Sequence, residues 1–311
     1  GELNFDSLSI GKNCLGKLVE NDFLQELLNN KINDHENITS LRPVKIKNIV
    51  NLNNHIEISL MRDQGENLTD YKCNLIIGAD GANSWLRQYF DFDCQIESYD
   101  HSALVTNVYT ANSTNNTAYQ QFLPNGPIAF LPWMNWQDQN VFSIVWSQSP
   151  KELEYWLKAD KQLFIDHLNK ITSNQFAIKN CDARVGFPLI KRHVEQYYKN
   201  GCVLIGDAAH TIHPLAGQGL NLGIYDAEML AQTLIFARDK RYKLDSEFVL
   251  KKYDLARRGH NQLILNLMSF FKTIYGNDRT SVKLFRNLGM NLIDNIGFIK
   301  KNITRQAAGY Y

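Results

Sequence analysis

Gly206-Asp207-Ala208-Ala209-His210-Thr211-Ile212-His213-Pro214-Leu215-Ala216-Gly217-Gln218-Gly219-Leu220-Asn221 is the stretch whose reading decides the fold. A short apolar run, Cys202 to Ile205, precedes it, and a long amphipathic segment follows. That order reads as strand, glycine-rich turn, helix. Glycines let backbone approach a ligand closely, and a helix start offers free N–H groups at a positive dipole end. An anionic or electron-rich ligand edge is favoured there. Asp207, at the strand end, is placed to accept hydrogen bonds from ligand hydroxyls. In the helix that follows, Leu220, Ile224, Ala227, Ala231 and Leu234 are expected to form the buried stripe.

The same grammar recurs earlier. Tyr71 to Ile77 reads as a strand running into Gly78-Ala79-Asp80-Gly81-Ala82-Asn83-Ser84, then a short helix with Trp85, Leu86 and Arg87. Taken alone this is equally an ordinary strand-to-helix turn; paired with the Gly206 stretch it points to a second ligand-facing crevice. His210 and His213 are three apart, but a metal needs a third ligand and none is apparent. Packing and hydrogen bonding around a ligand is the expected role for both.

The rest of the chain bounds the answer. Its 311 residues hold one large domain or two of ordinary size, and an apolar fraction of 44% suffices for a packed core. A formal net charge of +1, with both signs mixed along the chain, leaves no electrostatic footprint for nucleic acid. The five cysteines are dispersed with no Cys-x-x-Cys pair, which argues against a metal site and for a reducing compartment, the cytoplasm. No run of 18 or more apolar residues occurs, so no spanning helix is expected.

Phe23, Leu24, Leu27 and Leu28 fall on one face of an expected helix near residues 20–30. Val44 to Val50 and His55 to Met61 alternate as strands around a turn at Asn51 to Asn54. From residue 95 to 183 the character changes. Ala103–Tyr109, Thr117–Leu123, Ile128–Trp133 and Asn140–Trp146 are rich in β-branched and aromatic residues and read as an antiparallel sheet forming a second lobe. Phe122, Phe130, Trp133, Trp136, Phe142 and Trp146 cluster there. Core packing is the expected role of most of them, with an apolar substrate pocket the alternative for a subset. Residues 150–172 read as one or two helices. Residues 247–306 read as mostly helical, with Gly259, Gly276 and Gly289 as expected breaks and an apolar patch from Leu263 to Phe271.

The Gly206 stretch, completed by Asp226-Ala227, resembles the Gly-Asp fingerprint of the flavin-dependent aromatic hydroxylases, and most closely the ubiquinone-biosynthesis branch. The Asp80-Gly81 turn resembles that family's Asp-Gly motif. The Val19-Glu20-Asn21-Asp22 entry into the first helix and the closing Arg305-Gln306-Ala307-Ala308-Gly309 resemble the same branch; Asn21 stands where many relatives place a flavin-holding arginine, so that contact is not carried over. The resemblance implies an α/β fold: a Rossmann-like FAD-binding domain from residues 1–94 and 184–311 with helices at its C-terminus, and an inserted antiparallel substrate lobe from 95–183. It implies FAD as cofactor, NAD(P)H as co-substrate, and a flavin hydroperoxide delivering oxygen from O2 to the ring of a polyprenylated phenol. It assigns cofactor binding to Asp80, Gly81, Gly206, Asp207, Pro214, Gly217, Gln218, Gly219, Leu220 and Asn221. Within that set Asp207 meets the ribityl chain, Pro214 lies against the ring system, and the helix opened by Gly217-Gln218-Gly219 faces the pyrimidine edge, where negative charge gathers on reduction. No protein nucleophile is required, because the cofactor carries the hard chemistry. The implied partners are a lipophilic phenol and O2, with peripheral contact at the inner membrane face and membership of a biosynthetic complex.

One expected element is missing. Members of this family open with a strand and a Gly-x-Gly-x-x-Gly turn that binds the ADP half of FAD, and no such pattern occurs in the 311 residues. The chain is therefore expected to be a shortened form that binds FAD weakly by itself and leaves a sheet edge uncovered. Two alternatives stay open at this point: a flavin hydroxylase or reductase of another substrate, and a non-catalytic subunit of a biosynthetic complex.

Overall fold

The computed structural model describes residues 3–52, 55–62, 70–113, 116–133, 140–211, 219–275 and 297–308. It divides into two compact units, one of Gly1–Lys31, Asp100–Pro188 and Phe270–Tyr311, the other of Ile32–Tyr99 and Leu189–Ser269.

The second of these carries both glycine turns. Strands β1 (Lys45–Leu52), β2 (His55–Met61) and β3 (Tyr71–Cys73) form an antiparallel meander, in which Ile56 faces Asn51 on one side and Cys73 on the other. Strand β4 (Ile76–Gly78) leaves that meander and pairs in parallel with β12 (Cys202–Leu204), which pairs antiparallel with β11 (Tyr198–Lys199). Tyr71 to Ile77 is thus two strands in two sheets and not the single strand expected. The chain changes partner at Asn74-Leu75, a long-range pairing choice that local pattern does not encode. The core of this unit gathers Ile49, Ile56, Ile76, Leu86, Tyr197, Val203, Leu204, Leu250 and Tyr253. Cys202 is buried among them, and burial, with the nearby Asp80 charge adding to it, pushes its thiol up to about 12.

Two long helices follow β12. In α5 (Gly219–Asp239) the buried residues are Leu222, Asp226, Leu230, Thr233 and Ala237. The expected stripe is wrong: Leu220 is 61% and Ile224 52% exposed, Ala227 and Ala231 are also exposed, and only Leu234 packs on the core. The helix is rotated so that Asp226, with its buried partners, faces inward. Apolar spacing alone misassigns a face whose inward position is polar. Helix α6 (Glu247–Tyr275) runs through Gly259 without a break. A lone glycine costs about 1 kcal/mol in a helix interior, too little to end one anchored on both sides of it. Gly276 and Gly289 lie outside the described residues.

The other unit is built on a sheet. It holds β6 (Tyr119–Leu123), β7 (Gly126–Pro132), β8 (Asn140–Gln148) and β9 (Ile178–Cys181), with residues 100–110 of β5 (Cys94–Thr110) and residues 185–188 of β10 (Val185–Val194). The strand order within it is β5-β8-β7-β6, with β9 also on β5. The β5–β8, β8–β7 and β7–β6 pairs are antiparallel, as expected for this lobe. The β6–β7 hairpin closes at Leu123↔Gly126. Gly126 sits at φ +129°, and a Cβ there would lie 2.1 Å from the Ser147 carbonyl oxygen, so only glycine fits. Helices α3 (Pro150–Lys158) and α4 (Lys161–Ile171) pack their Trp156, Phe164, Ile165 and Leu168 on the inner face of the sheet, against Leu104, Phe142, Ile144 and Trp146. Ser149 and Glu152 form a capping box at the start of α3, and the Asp160 carboxylate caps α4. Phe130, Phe142 and Trp146 are core residues, the role expected for most of this cluster; Trp136 lies outside the described residues. Helix α1 (Asn21–Asn33) buries no residue, and Phe23, Leu27 and Leu28 are exposed. The last helix is α7 (Gly297–Ala307).

Candidate functional site

The parallel β4–β12 pair sets Gly78 opposite Leu204, and the Ile205 N–H donates to the Gly78 carbonyl at 3.0 Å. The two glycine turns therefore leave neighbouring strands at the same, carboxyl end. Crevices beyond the carboxyl ends of parallel strands are where open α/β sheets receive ligands.

Each turn is held from behind. In the first, the Asp80 carboxylate accepts from the backbone N–H groups of Trp85 (2.8 Å) and Leu86 (3.1 Å), and the Ser84 hydroxyl accepts from Arg87 N–H, so α2 (Trp85–Tyr89) starts on side-chain caps. Gly81, at φ +81°, has open space where a Cβ would stand. Arg87 is buried and joins the motifs: its guanidinium donates to the Ala82 carbonyl at 2.7 Å and to the Ala208 carbonyl at 2.9 Å.

In the second turn, Gly206 is left-handed at φ +58° and starts a single 3-10 turn over Gly206–Ala208. Gly223 on α5 lies beneath it. A Cβ on Gly223 would come 3.2 Å from Gly206 Cα, so helix and turn approach backbone to backbone. Asp226, one turn further along α5, is fully buried. Its carboxylate accepts from the Gly206 N–H (3.0 Å), His210 Nε2 (2.5 Å), Arg257 Nε (2.7 Å) and Asn261 Nδ2 (3.1 Å). Burial pushes this carboxyl up, but the His210, Arg257 and Asn261 contacts outweigh it and hold it below the usual carboxylate range. Four donors around one carboxylate satisfy the condition under which a buried charge is tolerated.

The cluster extends through Asn261 Nδ2 to the Tyr197 hydroxyl (3.2 Å), which also meets His193 Nε2 at 3.0 Å. The Tyr197 ring stacks on His210 with centroids 5.9 Å apart, and burial raises its hydroxyl. His193 is pushed down to about 4, chiefly by burial, with His210 and Arg258 adding to it, and is neutral near pH 7. His210 is buried, with Nδ1 lacking a partner among the described residues. Its contacts are the Asp226 carboxylate and the Tyr197 ring. His213 lies outside the described residues, and no metal-ligating cluster occurs among the described ones.

Of the sequence-derived site residues, Asp80, Gly81, Gly206 and Asp207 stand together on the two turns, and Gly219, Leu220 and Asn221 form the exposed-to-half-buried first turn of α5. Pro214, Gly217 and Gln218 lie outside the described residues. The supporting set of Arg87, Asp226, Arg257, Asn261 and Gly223 was missed as a unit. Asp226 carried a signal, an acidic residue on an otherwise apolar helical period; Arg257 and Asn261, four apart on α6, carried none that ties them to Asp226. The residues present fit a nucleotide cofactor bearing hydroxyls: the Asp207 side chain is exposed on the second turn, and left-handed Gly81 leaves open space where a Cβ would stand.

Comparison with known proteins agrees. A family model described as an FAD binding domain matches residues 45–265. The 3-demethoxyubiquinol 3-hydroxylase of Escherichia coli (strain K12) is 32% identical over 305 residues, covering 98% of this chain and 76% of that protein. The mitochondrial ubiquinone biosynthesis monooxygenase COQ6 of Drosophila melanogaster is 30% identical over 331 residues, covering 94% and 67%. Among solved structures, p-nitrophenol 4-monooxygenase PnpA from Pseudomonas putida shares the fold with a TM-score of 0.72 at 16% identity, covering 92% of this chain and 71% of that one. The fingerprint turns, the sheet that aligns them and these matches lead to one conclusion: the chain belongs to the FAD binding domain family, as a flavin-dependent monooxygenase.

Proposed function

We propose that this protein hydroxylates the aromatic ring of a polyprenylated phenol in ubiquinone biosynthesis, with FAD as cofactor and NAD(P)H and O2 as co-substrates. The observation that carries the reading is the paired arrangement of the Asp80-Gly81 and Gly206-Asp207 turns at one end of the β4–β12 pair, together with relatives that bear this function in their names. In this reading residues 1–94 and 184–311 supply the FAD-binding domain and residues 95–183 the substrate lobe. FAD, when bound, supplies the electron transfer and oxygen activation. Asp207 accepts hydrogen bonds from its hydroxyl-bearing chain. The first turn of α5, from Gly219 through Asn221, offers its helix-start N–H groups to the electron-rich edge of the cofactor. Asp80 orients α2 beside it. Asp226, Arg257 and Asn261 touch neither cofactor nor substrate; they hold the Gly206 turn in its left-handed form, so the donors need no reorganisation when charge develops.

The test is a substrate panel on the FAD-loaded full protein, following NAD(P)H-dependent oxygen uptake and hydroxylated product together. A polyprenylated phenol is expected to stimulate uptake coupled to product at least tenfold over p-hydroxybenzoate. Equal or better coupling with the soluble phenol would overturn the substrate assignment. Replacing Asp207 with Ala is expected to weaken FAD binding by about tenfold or more, the worth of one hydrogen bond to a charged acceptor at about 1.5–3 kcal/mol; unchanged affinity removes Asp207 from the site.

A further inference from the structure

The end of α5 and the start of α6 carry a surface that the flavin site does not use. Tyr242 is 47% exposed, and Phe248 and Leu255, seven apart on α6, are each 62% exposed. Single exposed apolar residues are ordinary, but these are organised. The Phe236 and Tyr242 rings lie 6.2 Å apart, Tyr242 and Phe248 meet edge-on at 5.5 Å, and Lys252 Nζ sits 3.7 Å over the Phe236 ring. One aromatic ladder therefore ties the last turn of α5, the connecting loop and the first turn of α6. Lysine and arginine flank it along the chain: Arg238, Lys240, Arg241, Lys243, Lys251 and Lys252 are all exposed. From residue 238 to 252 these six cations face three acids, Asp239, Asp245 and Glu247, a balance of +3 in a chain whose total is +1. Asp239 is already bonded to Arg238 at 3.1 Å.

We propose that this α5–α6 corner docks the protein on an anionic phospholipid bilayer, with Tyr242, Phe248 and Leu255 entering the headgroup boundary and the flanking lysines and arginines meeting lipid phosphates. The inference rests on the proposed lipophilic substrate, which must be drawn from a membrane. Charge complementarity selects the occupant. A protein interface concentrates aromatics and arginine while depleting lysine at its centre, whereas here four of the six cations are lysines interleaved with the rings. Long lysine stems lie along apolar surface and keep their charge at the interface, and an aromatic set flanked by cations is the composition of an interfacial anchor. No described helix is long and apolar enough to cross a membrane, and the corner needs none.

The experiment is co-sedimentation of the full protein with vesicles of phosphatidylcholine alone or with 30% phosphatidylserine, at low and high salt. Binding is expected at least tenfold stronger on the anionic vesicles, and largely lost at high salt because the attraction is screened. Two variants report on the two halves: Phe248→Ser with Leu255→Ser, and Lys240→Gln with Lys243→Gln and Lys251→Gln. Each is expected to weaken anionic-vesicle binding about tenfold. Oxygen uptake with a short-chain, water-soluble phenol is expected to remain at the level of the unmodified protein, which separates failure of docking from failure of the hydroxylase reading. Equal binding to both vesicle types, or binding untouched by either variant, overturns the proposal. So does a change of oligomeric state or loss of a stoichiometric protein partner in either variant without loss of vesicle binding, which would make the corner a protein interface.

Discussion

Replacing Asp226 with Ala isolates the linkage that holds the Gly206 turn. In the native protein the carboxylate accepts from Gly206 N–H, His210, Arg257 and Asn261 at 2.5–3.1 Å, and all four donors belong to groups packed out of water or partly so. The substitution leaves Arg257 buried without its counter-ion; its remaining partners are the Leu222 carbonyl at 3.4 Å and Asn261 Oδ1 at 3.0 Å. Breaking a buried pair from one side costs about 3–5 kcal/mol. The methyl side chain also leaves the Gly206 N–H and His210 Nε2 without an acceptor. Because one factor of ten is about 1.4 kcal/mol, the amides of residues 202–211 should exchange with deuterium about two to three orders of magnitude faster under native conditions. Peptides from β6 to β8 serve as internal reference and should keep their rates. A second protein, Asp226→Leu with Arg257→Met, removes both charges and is expected to recover at least half of the lost protection. If Asp226→Ala changes exchange at residues 202–211 by less than tenfold, or if the double substitution is as damaging as the single one, the carboxylate is not what restrains the turn.

Gly126→Ala is expected to destabilise the lobe by about 3 kcal/mol or more, since the added Cβ meets the Ser147 carbonyl at 2.1 Å from a left-handed backbone; thermal unfolding of the substituted protein within a few degrees of the parent would contradict this. His193 yields a pH dependence. Its folded value of about 4 lies below the ordinary 6.5, so between those limits the unfolded chain binds the extra proton and stability falls as pH drops, by at most about 3 kcal/mol, becoming flat below 4. His193→Gln should flatten the urea-denaturation midpoint between pH 6.5 and 4, and an unchanged slope would exclude His193 as the source. Gly223→Ala should slow folding little but loosen the Gly206 turn, read as at least a fivefold loss of FAD affinity; the affinity of the parent in this variant would show that the 3.2 Å approach is not needed.

The two motifs were legible because each couples an apolar strand to glycines that the backbone requires, and those signals are local. The strands of the lobe were legible from another local signal, their β-branched and aromatic residues, as in Val141, Phe142, Ile144, Val145 and Trp146 of β8. What escaped detection was set by partners distant in sequence. The split between β3 and β4 depends on Cys202 to Leu204, more than a hundred residues on. The inward face of α5 depends on Arg257 and Asn261, which make Asp226 a buried residue and leave Leu220 and Ile224 outside. Gly259 predicted a break in α6, but the residues on either side, Arg257 and Asn261, are bonded to the same carboxylate and carry the helix through.

The Cys202 thiol, enclosed on β12 and raised to about 12, makes the protein its own stopwatch. Alkylating reagents attack thiolate, so label will reach Cys202 only in molecules whose central strand has come apart, while exposed Cys14 reacts at once. Following the label at Cys202 itself, in the presence and absence of a bound nucleotide, times the rupture of the strand that bears the Gly206 turn.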